Sequence, residues 1–315
     1  MSLVGFSTLY QMADQMSSPI PVVAAGGADR TVLEAMSIAQ RRGWISPILV
    51  GRVAEIRTLA ADLDIDLTDF GLVDSIDPAI DAVAEVRAGR ALALMKGQIA
   101  TPELMRAILQ RDSGLRTGRS ICQVVLMEIP RDKRRFLLSD TGITIQPSLE
   151  QKQDILRSLV DVASVLRSES FADLPRIAVM SATEKSTESM PDTLDAVELA
   201  RRNREGEISG CVVQGPLSFD LAYAEDAGEK KRIEGEVVGA AEGMLFPNLL
   251  SANLTVKAIM YTADCRFGGV LCGTSSPVVF MSRADSTETR LNSLALTVRM
   301  VSAANLAVTE SPRFC

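Results

Sequence analysis

The sequence predicts an α/β fold with mainly parallel sheet, and three observations carry that expectation. Short β-rich runs alternate with longer amphipathic stretches, the signature of βαβ units. The chain has 315 residues and is 47% hydrophobic, enough for a substantial core and two domains. There is no low-complexity linker and no internal repeat, so the two lobes are expected to be intimately packed, with ligands in the crevice between them.

The elements follow in order. Residues 21–25, PVVAA, read as a strand, followed by the Gly26-Gly27 turn, an Asp29 cap and a helix to about Gly43. PILVG at 47–51 is the next strand, RVAEIRTLAADL a helix, and FGLVDS at 70–75 a third strand. Thr101-Pro102 opens a helix, with Thr101 expected as N-cap and Pro102 at the first helical position. CQVVLMEI at 122–129 and RFLLSD at 135–140 read as consecutive strands. Ser148-Leu149-Glu150-Gln151 is a capping box that opens a helix to about Ser168. RIAVMS at 176–181, GCVVQG at 210–215 and GMLFP at 243–247 are buried-strand candidates. The last helix starts near Ser286, with Leu291, Leu294, Ala295, Val298 and Val301 as its apolar stripe. The expected lobes are 1–147 completed by 279–315, and 148–278.

Composition excludes whole classes of chemistry. A net charge of −7 argues against a broad nucleic-acid-binding surface, so no nucleic acid is expected as partner. The chain contains no histidine, which removes His-dependent triads, His-ligated metals and any imidazole base. The cysteines (Cys122, Cys211, Cys265, Cys272, Cys315) form no CxxC pair and read as reduced thiols, not a disulfide framework or zinc site. No basic leader and no apolar run approaching 18 residues is present, so no membrane is expected and the cytoplasm is the expected compartment.

Several loops could carry chemistry. In Pro277-Val-Val-Phe-Met-Ser282-Arg283-Ala-Asp285-Ser286-Thr287-Glu288 a strand ends in hydroxyls and one arginine, directly before a long helix. Ser282, Ser286, Thr287, the Arg283 fork and the helix N-terminus would together cradle a phosphate; simple capping by Asp285 or Ser286 is the competing reading. Ser181-Ala-Thr-Glu-Lys185 also follows a strand and either holds a phosphate or forms a solvated turn. Asn253 and Lys257 are four apart and share one face of a helix. Arg116 and Arg119 flank Gly118 just before a strand, and either could meet phosphates.

Taken together these motifs resemble the phosphate acyltransferases, phosphate butyryltransferase first and phosphate acetyltransferase second. The resemblance rests on Leu94-Met-Lys-Gly97 with Thr101, Gly114-Leu-Arg-Thr-Gly-Arg119, Met180-Ser-Ala-Thr-Glu-Lys185 and Met190-Pro191. It continues through Gly215-Pro-Leu217 with Asp220, Asn253 with Lys257, and the run SRADSTETRLNSLAL, which is its most specific part. It implies reversible acyl transfer between coenzyme A and inorganic phosphate, and a two-lobed fold like that of the isocitrate and isopropylmalate dehydrogenases, with the active site in an interdomain cleft. It also implies a homodimer. Acyl-CoA, phosphate and acyl phosphate are then the small-molecule partners, coenzyme A is a substrate, and no cofactor or metal is expected.

The Ser-Arg pair carries over to Ser282 and Arg283 as the phosphate clamp, and Asn253 and Lys257 match positions shared by both branches. The acetyl branch has a proposed catalytic aspartate seven residues beyond the clamp serine, where this chain has Thr289. Glu288 and Asp285 are the nearest carboxylates and therefore the candidate bases. Ala252 replaces the usual glycine before Asn253, and Asn248 an acidic residue. Arg283, Lys257 and the helix N-terminus would offset charge on phosphate, with Ser181 or backbone N–H groups polarising the carbonyl. Three alternatives stand beside this reading: an acetyl- or propionyl-preferring enzyme, a nicotinamide-dependent dehydrogenase, and a non-catalytic acyl-CoA-binding homologue.

Overall fold

The computed structural model describes residues 3–168, 173–280 and 285–310. The chain divides into two compact units: a split unit, Phe6–Gly118 with Phe267–Cys315, and an inserted unit, Arg119–Arg266 with Met1–Gly5.

The first stretch of the split unit runs α1 (Phe6–Asp14), β1 (Ile20–Ala25), α2 (Arg30–Arg41), β2 (Ile45–Gly51), α3 (Val53–Asp62), β3 (Gly71–Asp74), α4 (Pro78–Arg87), β4 (Ala93–Lys96) and α5 (Thr101–Leu109). Asp29 caps α2 as expected, its Oδ1 accepting from Val32 N at 2.9 Å. The expectation for Thr101 is corrected: it is the first helical residue, and Ala100 occupies the cap position. Alanine has no oxygen to cap with, and Glu103 instead accepts the Ala100 N–H at 3.3 Å from inside the first turn.

The inserted unit holds β5 (Cys122–Ile129), β6 (Arg134–Ser139), α6 (Leu149–Leu166), β7 (Arg176–Met180), α7 (Pro191–Arg204), β8 (Val212–Leu217), α8 (Phe219–Tyr223), α9 (Ala227–Lys231), β9 (Gly243–Leu245) and α10 (Leu249–Thr262). The Ser148 capping box forms in both directions, Ser148 Oγ accepting from Gln151 N at 3.3 Å and Gln151 Oε1 from Ser148 N at 3.0 Å. Strand order is β5-β6-β9-β7-β8, with β6, β9, β7 and β8 parallel and β5 antiparallel at the hairpin. Because β6 pairs with β9, the β5–β6 hairpin belongs to this unit, and the unit boundary falls at 118/119 where the sequence reading drew 147/148.

The chain then returns to the split unit with β10 (Arg266–Cys272), β11 (Val278–Val279) and α11 (Thr287–Glu310). There the order is β3-β2-β1-β4-β11-β10, parallel from β3 to β11 and antiparallel only at β10. Helix α11 packs against α1 and α2, while α4 packs against α5.

The stripe expected on α11 is buried, but so is most of its other side. Arg290, Asn292, Ser293 and Thr297 have almost no exposure. Backbone supplies partners for three of them: Arg290 donates to Lys96 O at 3.2 Å, Asn292 donates to Phe267 O at 3.1 Å, and Ser293 Oγ accepts from Gly269 N at 2.9 Å. The approach is close enough that a Cβ on Gly268 would sit 2.9 Å from Ser293 N, so glycine is required there.

Candidate functional site

Each unit gathers chemistry-bearing residues at the carboxyl ends of its parallel strands. In the split unit the order reverses between β1 and β4, the place where open α/β sheets form a ligand crevice. The turns after these strands interlock: Gly97 N donates to Ala25 O at 2.8 Å and Gln98 N to Gly26 O at 2.8 Å. A Cβ on Gly97 would lie 2.1 Å from Gly26 O, so only glycine fits at the floor of the crevice.

Behind that floor lies a buried guanidinium. Arg290 donates from Nε to Thr31 Oγ1 at 2.7 Å and from Nη1 to Lys96 O at 3.2 Å. Thr31 in turn donates to Asp29 Oδ1 at 2.7 Å. Burial pulls the Arg290 pKa below its usual value, with Asp29 and Asp285 acting in the other direction. Lys96 is itself 2% exposed and reaches Gly97 O at 3.4 Å.

At the start of α11 the capping reading holds for Ser286, whose Oγ accepts from Thr289 N at 3.2 Å. Thr287 donates to Glu34 Oε2 at 2.6 Å. Asp285 is half-buried and Glu288 exposed, and Thr289 is buried with its hydroxyl 3.1 Å from Ser286 Oγ. Ser282 and Arg283 lie outside the described residues. Arg116 is exposed, and its backbone bridges to Thr274.

In the inserted unit the ends of β6, β7, β8 and β9 carry the second group. Ser181, immediately after β7, donates to Asp192 Oδ2 at 2.6 Å, and its N–H binds Leu217 O at 2.9 Å. Asp192 lies in the first turn of α7 after Pro191. Ser181 and Asp192 together form one wall of a cavity of about 470 Å³, otherwise mostly apolar, with Met180, Met190, Phe219, Phe246 and Ile259 among its lining. Asn253 sits on α10 as the sequence places it and donates to Thr141 O at 3.1 Å; Lys257, one turn on, is exposed.

Thr141 follows Asp140, whose buried carboxylate accepts backbone N–H groups from Gln123, Gly142, Ile143 and Thr144 at 2.7–3.1 Å. Burial pushes the Asp140 pKa up while those four donors pull it back. Glu184 accepts from Lys231 Nζ at 2.8 Å and Ser218 Oγ at 2.7 Å, and the Lys231 bond holds its carboxyl below the usual range. Lys231 also reaches Asp220 at 2.9 Å, which ties the 181–187 loop to α8 and α9. Lys185 is exposed, with its N–H on Thr183 Oγ1. Arg119 belongs to this unit and pairs with Asp161 at 2.8 Å and Ser158 at 3.1 Å along α6.

Sequence reasoning did not single out Asp192, Asp140 or Lys231. Pro191-Asp192 carries a local signal, an acidic first turn after a helix-starting proline. Lys231 has none, because its partners come from other elements. Asp140 has one, since three of its four donors, Gly142, Ile143 and Thr144, follow it directly as in an Asx turn and only Gln123 comes from another strand. Among the described residues there is no group of three potential metal ligands and no helix long and apolar enough to cross a membrane.

Comparison with known proteins places the chain. The family model described as phosphate acetyl/butaryl transferase matches residues 73–298. A phosphate butyryltransferase of Clostridium acetobutylicum is 39% identical over 278 residues, covering 87% of this chain and 91% of that protein. A phosphate acetyltransferase of Thermotoga maritima is 36% identical over 290 residues, covering 91% and 97%. Among solved structures, a branched-chain phosphotransacylase from Enterococcus faecalis superposes with a TM-score of 0.76 at 28% identity, covering 90% of this chain and 99% of that one.

Proposed function

The chain belongs to the phosphate acetyl- and butyryltransferase family, and from that premise we propose that it moves a butyryl group reversibly between coenzyme A and inorganic phosphate. The observation that carries the acyl assignment is the largely apolar cavity beside Ser181 and Asp192, with room for a four-carbon chain and part of the thioester arm. In the direction of acyl phosphate formation, a phosphate oxygen attacks the thioester carbonyl, the C–S bond breaks, and coenzyme A leaves as its thiolate.

The family resemblance assigns Ser282 and Arg283 to the phosphate, with Ser286 and Thr287 beside them and Glu288 or Asp285 handling the proton. Asn253, Ser181 and Lys185 serve the acyl-CoA, Lys257 helps Arg283 offset charge on the phosphate, and Arg116 and Arg119 are the further anion contacts in this reading. Positioning of both substrates in a ternary complex supplies much of the acceleration, without a covalent enzyme intermediate. Coenzyme A is a substrate, and the reaction as written needs no metal or resident cofactor. The overall fold in this reading is that of the isocitrate and isopropylmalate dehydrogenases, and the compartment is the cytoplasm. The working state is a homodimer; Leu250, Leu254 and Tyr261 on α10 are 69%, 59% and 79% exposed, an apolar face that supports it.

The test is phosphate-dependent thiol release from acetyl-, propionyl- and butyryl-CoA, with a no-phosphate control. The expected ranking has butyryl-CoA first. Filling the cavity with Ala258→Phe should lower the butyryl-to-acetyl activity ratio by about tenfold or more, because the two substrates differ by two methylenes worth roughly 1–3 kcal/mol each. An unchanged ratio would remove the acyl chain from this cavity. Release that requires no phosphate, or none at all from folded protein that binds coenzyme A, would remove the transferase assignment.

Two of the protein's own thiols are shielded from the thiol reagent of that assay. Burial pushes Cys122 up to about 12 and Cys211 up to about 11, so neither presents thiolate at neutral pH. Peptide mapping should find both unlabelled in native protein and labelled after unfolding. Labelling at the native rate of a free thiol would contradict their burial.

A further inference from the structure

The inserted unit has a second cavity, at the amino-terminal ends of its strands and so at the opposite edge of the sheet from Ser181. It encloses about 340 Å³ and is lined by Arg134 and Arg135 of β6, Arg176 of β7, Leu3, Glu225 and residues 238–242 before β9. Three arginines from the ends of β6 and β7, the two strands that flank β9, therefore line one space, in a chain whose net charge is −7.

The acids nearby do not neutralise all three. Glu242 is held by Arg167, with both oxygens 2.6 Å from Nη1, and by the backbone N–H of Arg176 at 3.0 Å. Glu128 is held by Arg135 at 3.1 Å. Glu225 is exposed at the rim. Arg134 donates one nitrogen to Gly239 O at 3.0 Å and lies over the Tyr223 ring at 5.3 Å, which fixes its plane.

Two donors are then left over. Arg134 Nη2 and Arg176 Nε are both shielded from solvent, and neither has a hydrogen-bond acceptor. Arg176 Nε is 3.7 Å from Glu242 Oε2, an ion-pair distance without the bond. A buried donor without an acceptor is costly to leave so, and more costly when charged. The guanidinium planes come from different strands, so their donors match the oxygens of a tetrahedral oxyanion better than the two coplanar oxygens of a carboxylate. The volume exceeds that of inorganic phosphate, and Leu3, Val238, Ala240 and Ala241 give the remaining space apolar walls.

We propose that this cavity is a binding site for a small phosphomonoester, separate from the acyl-transfer site and occupied independently of turnover. Its phosphoryl oxygens accept from Arg134 and Arg176, and its carbon skeleton lies against Val238, Ala240 and Ala241.

The experiment is methyl NMR of the full chain, labelled at alanine and valine, titrated with glycerol phosphate, inorganic phosphate and malonate at constant ionic strength. The expected result is saturable shifts at Val238, Ala240 and Ala241, with glycerol phosphate binding more tightly than inorganic phosphate and malonate weakest. Arg134→Gln and Arg176→Gln should each weaken that binding about tenfold or more, the effect of one charge-assisted hydrogen bond. Arg134→Lys, which keeps the charge and loses the fork, should weaken it as well. Shifts confined to residues near Ser181, tightest binding by malonate, or none at these three methyls in the wild type would each overturn the proposal. The wild-type map decides the matter even if a variant fails to fold, and because no step uses acyl-CoA, its outcome is independent of the acyl-transfer reading.

Discussion

Arg290→Ala is expected to destabilise the protein by about 3–5 kcal/mol, the range for breaking a buried charged network. The side chain is 1% exposed and reaches across three elements, from α11 to Thr31 on α2 and to the carbonyl of Lys96 at the end of β4. Alanine leaves a cavity, removes the Arg290 hydrogen bond to the Lys96 carbonyl and leaves the Asp29–Thr31 pair without its cation. Arg290→Lys should recover only part of the loss, because an ammonium cannot serve both acceptors with the planar fork. Urea unfolding measures it directly, and a shift below about 1 kcal/mol would mean that the network contributes little.

Arg283→Ala is expected to lower kcat/KM for phosphate by roughly 10²–10³, the effect of removing a positioned donor to developing charge. Coenzyme A affinity should change little, since the proposed clamp holds the phosphate side. Steady-state kinetics with phosphate varied, alongside equilibrium binding of coenzyme A, separates the two. Unchanged phosphate kinetics would end the clamp assignment. In the same assay Glu288→Ala should lose more kcat than Asp285→Ala: Glu288 is exposed in the first turn of α11, whereas Asp285 is half-buried and adds to the field at Arg290. Negligible losses in both would place the base elsewhere.

Local signals in the sequence were reliable where the physics is local. Asp29 and Ser148 cap the helices they announce, and the strands at 20–25, 45–51, 122–129 and 176–180 lie where the apolar runs are. Thr101 differs from its expected role because the helix starts one residue earlier, with Ala100 at the cap and Glu103 accepting the Ala100 N–H. Strand β11 lies within the run read as a strand from Pro277, although it is only two residues long, whereas β10 had no strand reading, its antiparallel pairing with β11 being decided by residues that follow it. Helix α11 shows the limit most clearly. Its stripe was visible, yet Asn292 and Ser293 look like a solvent face until Tyr10, Phe267 and Gly269 come to meet them.

The site divides along the same line. Asn253 and Lys257 could be placed on one helix face from their spacing, and they are on α10. Nothing in the sequence joins Ser181 to Asp192, or Gln123 to Asp140, because those contacts exist only once strand ends assemble. The resemblance to a family reached further than spacing did, since it compares whole constellations rather than neighbours.

The division of the chain also sets an order of events at birth. The split unit is interrupted by the inserted one: β4 lacks its neighbour β11, and α1 and α2 lack α11, until the stretch from Phe267 through α11 emerges. The insertion between Gly118 and Phe267 postpones that closure by roughly seven to thirty seconds at ordinary translation speeds of about 5–20 residues per second. For that interval the nascent chain exposes the edge of β4 and the apolar faces of α1 and α2, while most of the inserted unit has already emerged. A chaperone that covers exposed apolar surface therefore has its longest opportunity on the N-terminal segment, and a truncation that removes α11 should prolong that engagement instead of yielding a smaller folded protein.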